Sequence, residues 1–528
     1  MRNNPSVPAA LRPVRIFWIA FALFGLLAGC WALATPVLSV PDENAHVVKA
    51  VAQVHGELIG HRVPDQRQLV MDLPSGYSYT QQILCFAFQP GQPGDCGAEF
   101  GDPGGTREVA TWVSAYNPLY YYVVGWPSLF LDGNAGVYAM RIVSGFAGAL
   151  FFAWAAQAAV AAVRSRWLPA AVLLGGLPMV GYLTGAVNPN GFEALSAFAL
   201  AAALLRLLEH HDPAYEPPAL SRRYLWTIVT VSAIALANAR ALGPLWVVVV
   251  VALCLFAVGW TSIKSLFSTR SNYLWLAIIA AGGLFSVLWT LGGGSLSGQA
   301  EKSDAPLVGA GILPAAAYMV RMTPTFAVQT LGYFGWFDTP LPGYAFWPAV
   351  AAVTLLVALA FLTARRRDLL VLAVTGAVVV LLPIAVQAYS ARQTGVIWQG
   401  RYGLFLYLTA FLIAGWVLSQ RGGDRIAFLA PRVTWTMAGL LWVFVNLSFV
   451  LVLRRYVIGL DLPIGGMFKD PQWQPPLGWI ALAFAFAVIS AGLFAYVSRL
   501  SQRPVEPIAP ADPAPAFDRP DLVADPIR

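Results

Sequence analysis

The strongest constraint on the fold is a succession of apolar runs, each close to the length that crosses a bilayer and nearly free of charge. By hydropathy they cover about 16–38, 137–163, 167–184, 191–208, 224–239, 243–260, 273–291, 344–363, 369–388, 403–419, 433–453 and 477–498. A soluble domain carries about 25% charged residues, whereas this chain of 528 residues carries 11% and is 58% hydrophobic. The runs therefore predict an all-α integral membrane protein of about twelve transmembrane helices. The first run is too long for the 7–15-residue core of a cleaved signal. The Ala32-Leu33-Ala34 string near its end, which mimics a cleavage site, is accordingly part of an uncleaved span.

Charge orients the spans independently of hydropathy. Arg2, Arg12 and Arg15 in the head (1–15), then Arg164 and Arg166, Arg222 and Arg223, Lys264 and Arg270, Arg365 to Arg367, Arg421 and Arg425, and Arg499 all fall on one side. That is the positive-inside pattern, and it places both termini in the cytoplasm. The net charge of +7 is explained by those loops rather than by a nucleic-acid partner. The tail 501–528 repeats Pro with Ala and Asp and should be disordered. Between head and tail, 16–500 reads as one membrane domain. Two long extracytoplasmic loops, 39–136 with interfacial helices and 292–342, lie on the opposite side.

Polar residues gather at span ends on that opposite side. Pro41-Asp42-Glu43-Asn44-Ala45-His46 follows directly on the first span. Its paired carboxylates suit a general base for an acceptor hydroxyl or a site for a divalent cation, Mg or Mn. Ser39 as N-cap with Asp42 at the third helical position would equally make a capping box. Asp42 and His46, four apart, would share a helical face and could simply pair. Trp398-Gln399-Gly400-Arg401-Tyr402 precedes a late span. Arg401 could grip a phosphate there, and Gly400 would let backbone approach closely. The alternative is an interfacial anchor.

Asp338 in Gly335-Trp336-Phe337-Asp338-Thr339-Pro340 could orient a sugar hydroxyl or form a turn. Asn117 opens Asn117-Pro118-Leu119-Tyr120-Tyr121-Tyr122, an apolar stretch too short to span. Asn188, Asn190 and Glu193 mark a turn between spans, and Arg240 ends the Asn238-Ala239-Arg240 turn. A carboxylate or guanidinium near membrane depth is costly without a purpose. Cys30 and Cys254 lie in apolar runs, while Cys85 and Cys96 lie in an outer loop where a disulfide is permitted. No Walker loop, dinucleotide fingerprint or zinc-spaced His/Cys cluster is present.

Taken in order, PDENAH, NPLYY, YFGWFDTPLP and WQGRY resemble the bacterial domain-of-unknown-function 2142 family, over about 16–500. That family is in turn similar to the GT-C superfamily of membrane glycosyltransferases, which take a sugar from a polyprenyl-phosphate carrier. The resemblance implies a multi-pass protein of the bacterial inner membrane that works on its extracytoplasmic face. It implies inverting transfer to an envelope glycan, lipid or protein, with Asp42 as base, Glu43 assisting or binding a cation, and Arg401 on the leaving phosphate. His46, Asn117, Asn188, Asn190, Glu193, Arg240, Trp336, Asp338, Gln399 and Tyr402 would line the substrate site. The superfamily often has Lys-Pro-Pro or His-Pro-Pro where this chain has Asn117-Pro118, and no large soluble C-terminal domain follows. The competing readings are a flippase or transporter for a lipid-linked saccharide and a polysaccharide polymerase or ligase. A flippase predicts charges near the midplane and repeated broken helices; the gathering of polar groups on one face favours surface chemistry.

Overall fold

The computed structural model describes residues 13–66, 68–78, 84–97, 100–102, 104–160, 166–211, 220–295, 305–420 and 423–502. Most of the expected head and the tail from 503 onward lie outside these residues. Each apolar run becomes helix. Helix α1 (Pro13–Leu33) is followed by the short α2 (Glu43–Val54) and α3 (Pro118–Gly125), then by α4 (Gly133–Ala159). Next come α5 (Leu168–Leu173), α6 (Pro178–Thr184), α7 (Pro189–Glu209), α8 (Arg222–Ala237), α9 (Gly243–Val258), α10 (Trp260–Ser268) and α11 (Asn272–Gly292). The second half holds α12 (Ile312–Gly332), α13 (Trp347–Thr363), α14 (Arg366–Thr394), α15 (Leu404–Leu418), α16 (Ala430–Val457), α17 (Gly466–Lys469) and α18 (Trp479–Arg499).

Among the described residues, nine helical segments are long and apolar enough to cross a membrane, or ten if α9 and α10, bent by 114°, form one broken span. The expected twelve exceeds that count for a physical reason. The run 167–184 is interrupted at Leu174–Gly176 and Pro178, giving α5 and α6, and α8 is a single 16-residue helix. Proline has no N–H to continue a preceding helix and is accommodated at the start of a new one.

Helix α7 is the pillar. All of its 21 residues are buried, and it packs against α4, α6, α8, α9 and α15. Small residues along it, Ala194, Ala197, Ala201 and Ala202 among them, let neighbouring backbones come close without a hydrophobic driving force between helices. Its charged groups have partners, since Arg206 meets Glu209 at 2.6 Å and Trp416 Nε1 donates to Glu209 at 2.8 Å.

The two long loops, 39–136 and 292–342, contain more structure than the sequence suggests. The first holds a two-stranded antiparallel sheet, β1 (Val70–Pro74) with β2 (Thr106–Ala110), as well as short helices. The second holds the 21-residue α12, which packs on α14. After it, Tyr333–Phe334 (β3) and Thr339–Pro340 (β4) close a small hairpin around Gly335 to Asp338.

Candidate functional site

The end of α1 sets the geometry. The last carbonyls of a helix have no partner within it. Here Arg141 of α4 reaches across and donates to Ala32 O at 2.9 Å, Thr35 O at 2.9 Å and Pro36 O at 2.8 Å. The same guanidinium grips Glu43 with two bonds, Nε to Oε1 at 2.7 Å and Nη2 to Oε2 at 2.5 Å. Val187 N also donates to Glu43 Oε1, at 3.0 Å, and both charged side chains are fully buried. A buried charge pair holds only with good geometry and with its remaining donors and acceptors satisfied. This one meets that condition. Three donors already occupy the two oxygens of Glu43, and a guanidinium neutralises it. That arrangement argues against Glu43 as a cation ligand or proton acceptor.

Asp42, one residue earlier, differs. Its backbone is left-handed (φ 64°), and its side chain makes no capping bond to α2. The capping box suggested by Ser39 and Asp42 is not formed, because Ser39 Oγ donates instead to Pro36 O at 2.7 Å and the helix begins only at Glu43. Aspartate and asparagine tolerate left-handed backbone better than most residues. The carboxylate meets Arg401 Nη2 and stays 19% exposed, whereas Arg401 is only 2% exposed.

Arg401 is held in place from several sides. Its Nη1 donates to Pro41 O at 3.1 Å and its Nη2 reaches Tyr402 Oη at 3.3 Å. Its guanidinium lies 5.3 Å from the Phe337 ring centre and 5.1 Å from that of Tyr402. Its Nε is buried and has no hydrogen-bond partner among the described residues. The Arg240 guanidinium lies 4.2 Å from the same Tyr402 ring. One phenol ring therefore touches two guanidinium groups. Gly400 makes this possible, because a Cβ there would sit 2.2 Å from Phe326 O.

A hydrogen-bonded chain ties the other short motifs to this centre. Asn188 Nδ2 donates to Pro41 O at 2.9 Å, and its Oδ1 accepts from Asn190 N at 3.0 Å as the cap of α7. Arg240 Nη1 donates to Asn190 Oδ1 at 2.8 Å and lies 3.8 Å from Glu193. The structure thus brings Asp42, Asn188, Asn190, Glu193, Arg240, Arg401 and Tyr402 into one network. His46 Nδ1 lies 2.9 Å from Tyr121 Oη. Burial pushes the Lys49 ammonium, further along α2, down to about 7 while it donates to Leu58 O.

Other residues singled out from the sequence have different partners. Asn117 caps α3 and donates to Asn238 Oδ1 at 2.7 Å, a structural cross-link between two motifs. Asp338 accepts from Arg455 Nη2 at 3.1 Å and from Thr339 Oγ1 at 2.9 Å, so its oxygens are taken up by a clasp. Arg455 also holds Phe86 O at 2.7 Å and Gln89 O at 2.9 Å, in the loop that the Cys85–Cys96 disulfide closes. Trp336 packs edge-on to Phe88 at 5.7 Å, and its Nε1, like Gln399 Oε1, is buried without a hydrogen-bond partner among the described residues. Arg141, Arg455, Phe337 and Tyr121 did not stand out in the sequence. A lone arginine a few residues inside an apolar run, as Arg141 is, was the available signal, since such a charge is costly without a partner.

A shallow groove runs between α12 and α14. Met319, Phe326, Val379, Pro383 and Ile384 give it an apolar lining, and Gly400 and Gly403, on either side of Arg401 in the chain, also line it.

These features define a polytopic membrane protein with a charged, partly open centre where α1, α2, α7 and the segment before α15 meet. The chain belongs to the DUF2142 family, described as predicted membrane protein, whose model matches residues 24–409. Among solved structures it is similar to ArnT from Cupriavidus metallidurans in the apo state, at 13% identity and a TM-score of 0.42, over 91% of this chain and 75% of that one. A likeness of that size decides neither activity nor substrate. No curated protein matches the chain.

Proposed function

We propose that the protein is a GT-C-type membrane glycosyltransferase of the bacterial inner membrane. It moves a sugar from a polyprenyl-phosphate donor to an envelope glycan, lipid or protein on the extracytoplasmic face. The carrying observation is the Asp42–Arg401 pair: an accessible carboxylate on a buried guanidinium whose Nε is unpartnered. The apolar groove beside Gly400 suits a polyprenyl chain, and the one-sided Arg and Lys clusters suit an extracytoplasmic site with both termini inside.

In this scheme the donor phosphate takes over Arg401, and Arg240 adds a second positive charge nearby. Released from Arg401, Asp42 accepts the proton of the acceptor hydroxyl as its oxygen attacks the anomeric carbon. The bond from that carbon to the phosphate oxygen breaks, and the leaving phosphate keeps the electron pair, stabilised by fixed guanidinium charge. One attack inverts the configuration. Glu43 has a positioning role, since its lock on Arg141 fixes the turn that presents Asp42. Two guanidinium groups already neutralise Asp42 and Glu43, so a divalent cation between them is not part of this scheme.

The test is sugar transfer from synthetic polyprenyl-phosphate sugars in detergent. Wild-type protein should transfer, and Asp42→Asn should be about 10²–10⁴ slower with donor binding retained. Donor lipid that crosses a vesicle bilayer unchanged, with no transfer, would replace this function with a flippase.

A further inference from the structure

We propose a second site, independent of the transfer reaction: Glu57, His61 and Asp72, supported by Glu108, bind one divalent cation of the Zn²⁺ type at the outer-loop sheet. The ligands come from three pieces of backbone. Glu57 lies just past the end of α2, His61 is bridged to Val70 by backbone bonds of 2.9 Å in each direction, and Asp72 lies in β1. One ligand atom from each of the three falls within 4.8 Å of the others.

The distances suit a metal. Ligand atoms around a tetrahedral Zn²⁺, with bonds of about 2.0–2.1 Å, lie about 3.3 Å apart. His61 Nδ1 is 3.1 Å from Glu57 Oε1, and His61 Nε2 is 3.5 Å from Glu108 Oε1. An ion on the Glu57 side of the ring would leave the Nε2 proton facing Glu108. A carboxylate behind the imidazole is the usual support of a metal-bound histidine. An imidazole among carboxylates favours Zn²⁺ over the oxygen-only preferences of Mg²⁺ and Ca²⁺.

The local charge also suits a cation, a role that a protonated His61 between Glu57 and Glu108 fills when no metal is bound. The strand register places Asp72 directly opposite Glu108. Like charges directly across an antiparallel pair are destabilising, and Glu57 adds a third carboxylate. Arg107, the neighbour of Glu108, points to the other face of the strand by alternation and cannot answer this charge. The twelve residues of α2 span about 18 Å, so an ion here lies far from Asp42. Its effect would be to fasten the far end of α2 to the sheet and brace the helix that Asp42 begins.

Full-length, tag-free protein in detergent would be stripped with EDTA and titrated with ZnCl₂ alone, followed by calorimetry and metal analysis. One Zn²⁺ per chain is expected, with a higher melting temperature on loading. His61→Ala and Asp72→Asn should each weaken binding at least tenfold and Glu108→Gln about tenfold, while Asp42→Asn binds as wild type. At a pH high enough to keep His61 neutral, stripped wild type and His61→Ala should melt together, because without the ion a neutral His61 adds little. Two results would overturn the site: Zn²⁺ uptake by wild type no greater than by the His61→Ala, Asp72→Asn double variant, or, at that pH, a lower melting temperature for His61→Ala that EDTA does not reproduce in wild type.

Discussion

Asp42 and Glu43 are neighbours in the chain, and each faces an arginine from a distant helix or helix end. Their surroundings are nevertheless opposite. Glu43 and Arg141 are sealed from solvent and closed by three helix-end carbonyls and Val187 N. Asp42 is partly open, sits on left-handed backbone, and faces an arginine with an unpartnered Nε. A saturated buried pair can only hold a structure together. An unsaturated one beside an opening can exchange its partner for a ligand.

The largest effect should come from opening the saturated clasp. Arg141→Met leaves Glu43 buried without its counter-ion, which should cost about 3–5 kcal/mol. Thermal melts in detergent would show this as poorly folded protein, and a near-normal melt would end the distinction. The unsaturated pair should behave otherwise. Arg401→Ala should weaken binding of the polyprenyl-phosphate donor by about 2–5 kcal/mol with a smaller change in melting. Direct binding of labelled donor checks it.

The Arg455 clasp and the disulfide brace the same loop, one by charge and one by covalent bond. Replacing Cys85 and Cys96 with Ala should lower stability by about 2–4 kcal/mol and leave transfer per folded molecule within about threefold, because a stability loss of that size unfolds molecules without touching the chemistry. A denaturant melt with parallel activity would show whether the brace matters to Asp42.

Lys49 offers the mildest contrast, a buried ammonium held by the Leu58 carbonyl. Its folded value of about 7 lies below its ordinary 10.5. Between the two, the unfolded chain binds more protons, so stability should rise with pH from about 7 towards 10 by at most about 1.4 kcal/mol per pH unit. Lys49→Met should flatten that slope; an unchanged slope would assign it to other groups.

Much of this was legible in the sequence and some was not. Spans show because bilayer thickness imposes a length on every apolar run. The PDENAH and WQGRY junctions show because charge at a span end is unusual. What joins them does not show. Glu43 and Arg141 are 98 residues apart, and Asp42 and Arg401 are 359 apart. Local spacing made Ser39 a cap for Asp42, whereas the turn after α1 sends its hydroxyl back to Pro36. Helix α12 does not show in the sequence because its Pro324, Arg321 and threonines dilute the apolar signal. Strands β1 and β2 leave no trace in the sequence because 31 residues separate Pro74 from Thr106, and strand pairing at that distance leaves no short-range pattern.

The contrast between adjacent carboxylates is tested most directly by comparing Asp42→Asn with Glu43→Gln. Turnover from a polyprenyl-phosphate sugar would be normalised to folded protein. Asparagine keeps the left-handed backbone and most hydrogen bonds at position 42 but cannot accept a proton. Asp42→Asn should therefore lose far less stability than Glu43→Gln and turn over about 10²–10⁴ more slowly. Glu43→Gln should fold poorly, yet its folded fraction should turn over within about tenfold of wild type, far short of a general-base loss. Well-folded Asp42→Asn protein with full turnover, or well-folded Glu43→Gln protein with none, would contradict the assignment.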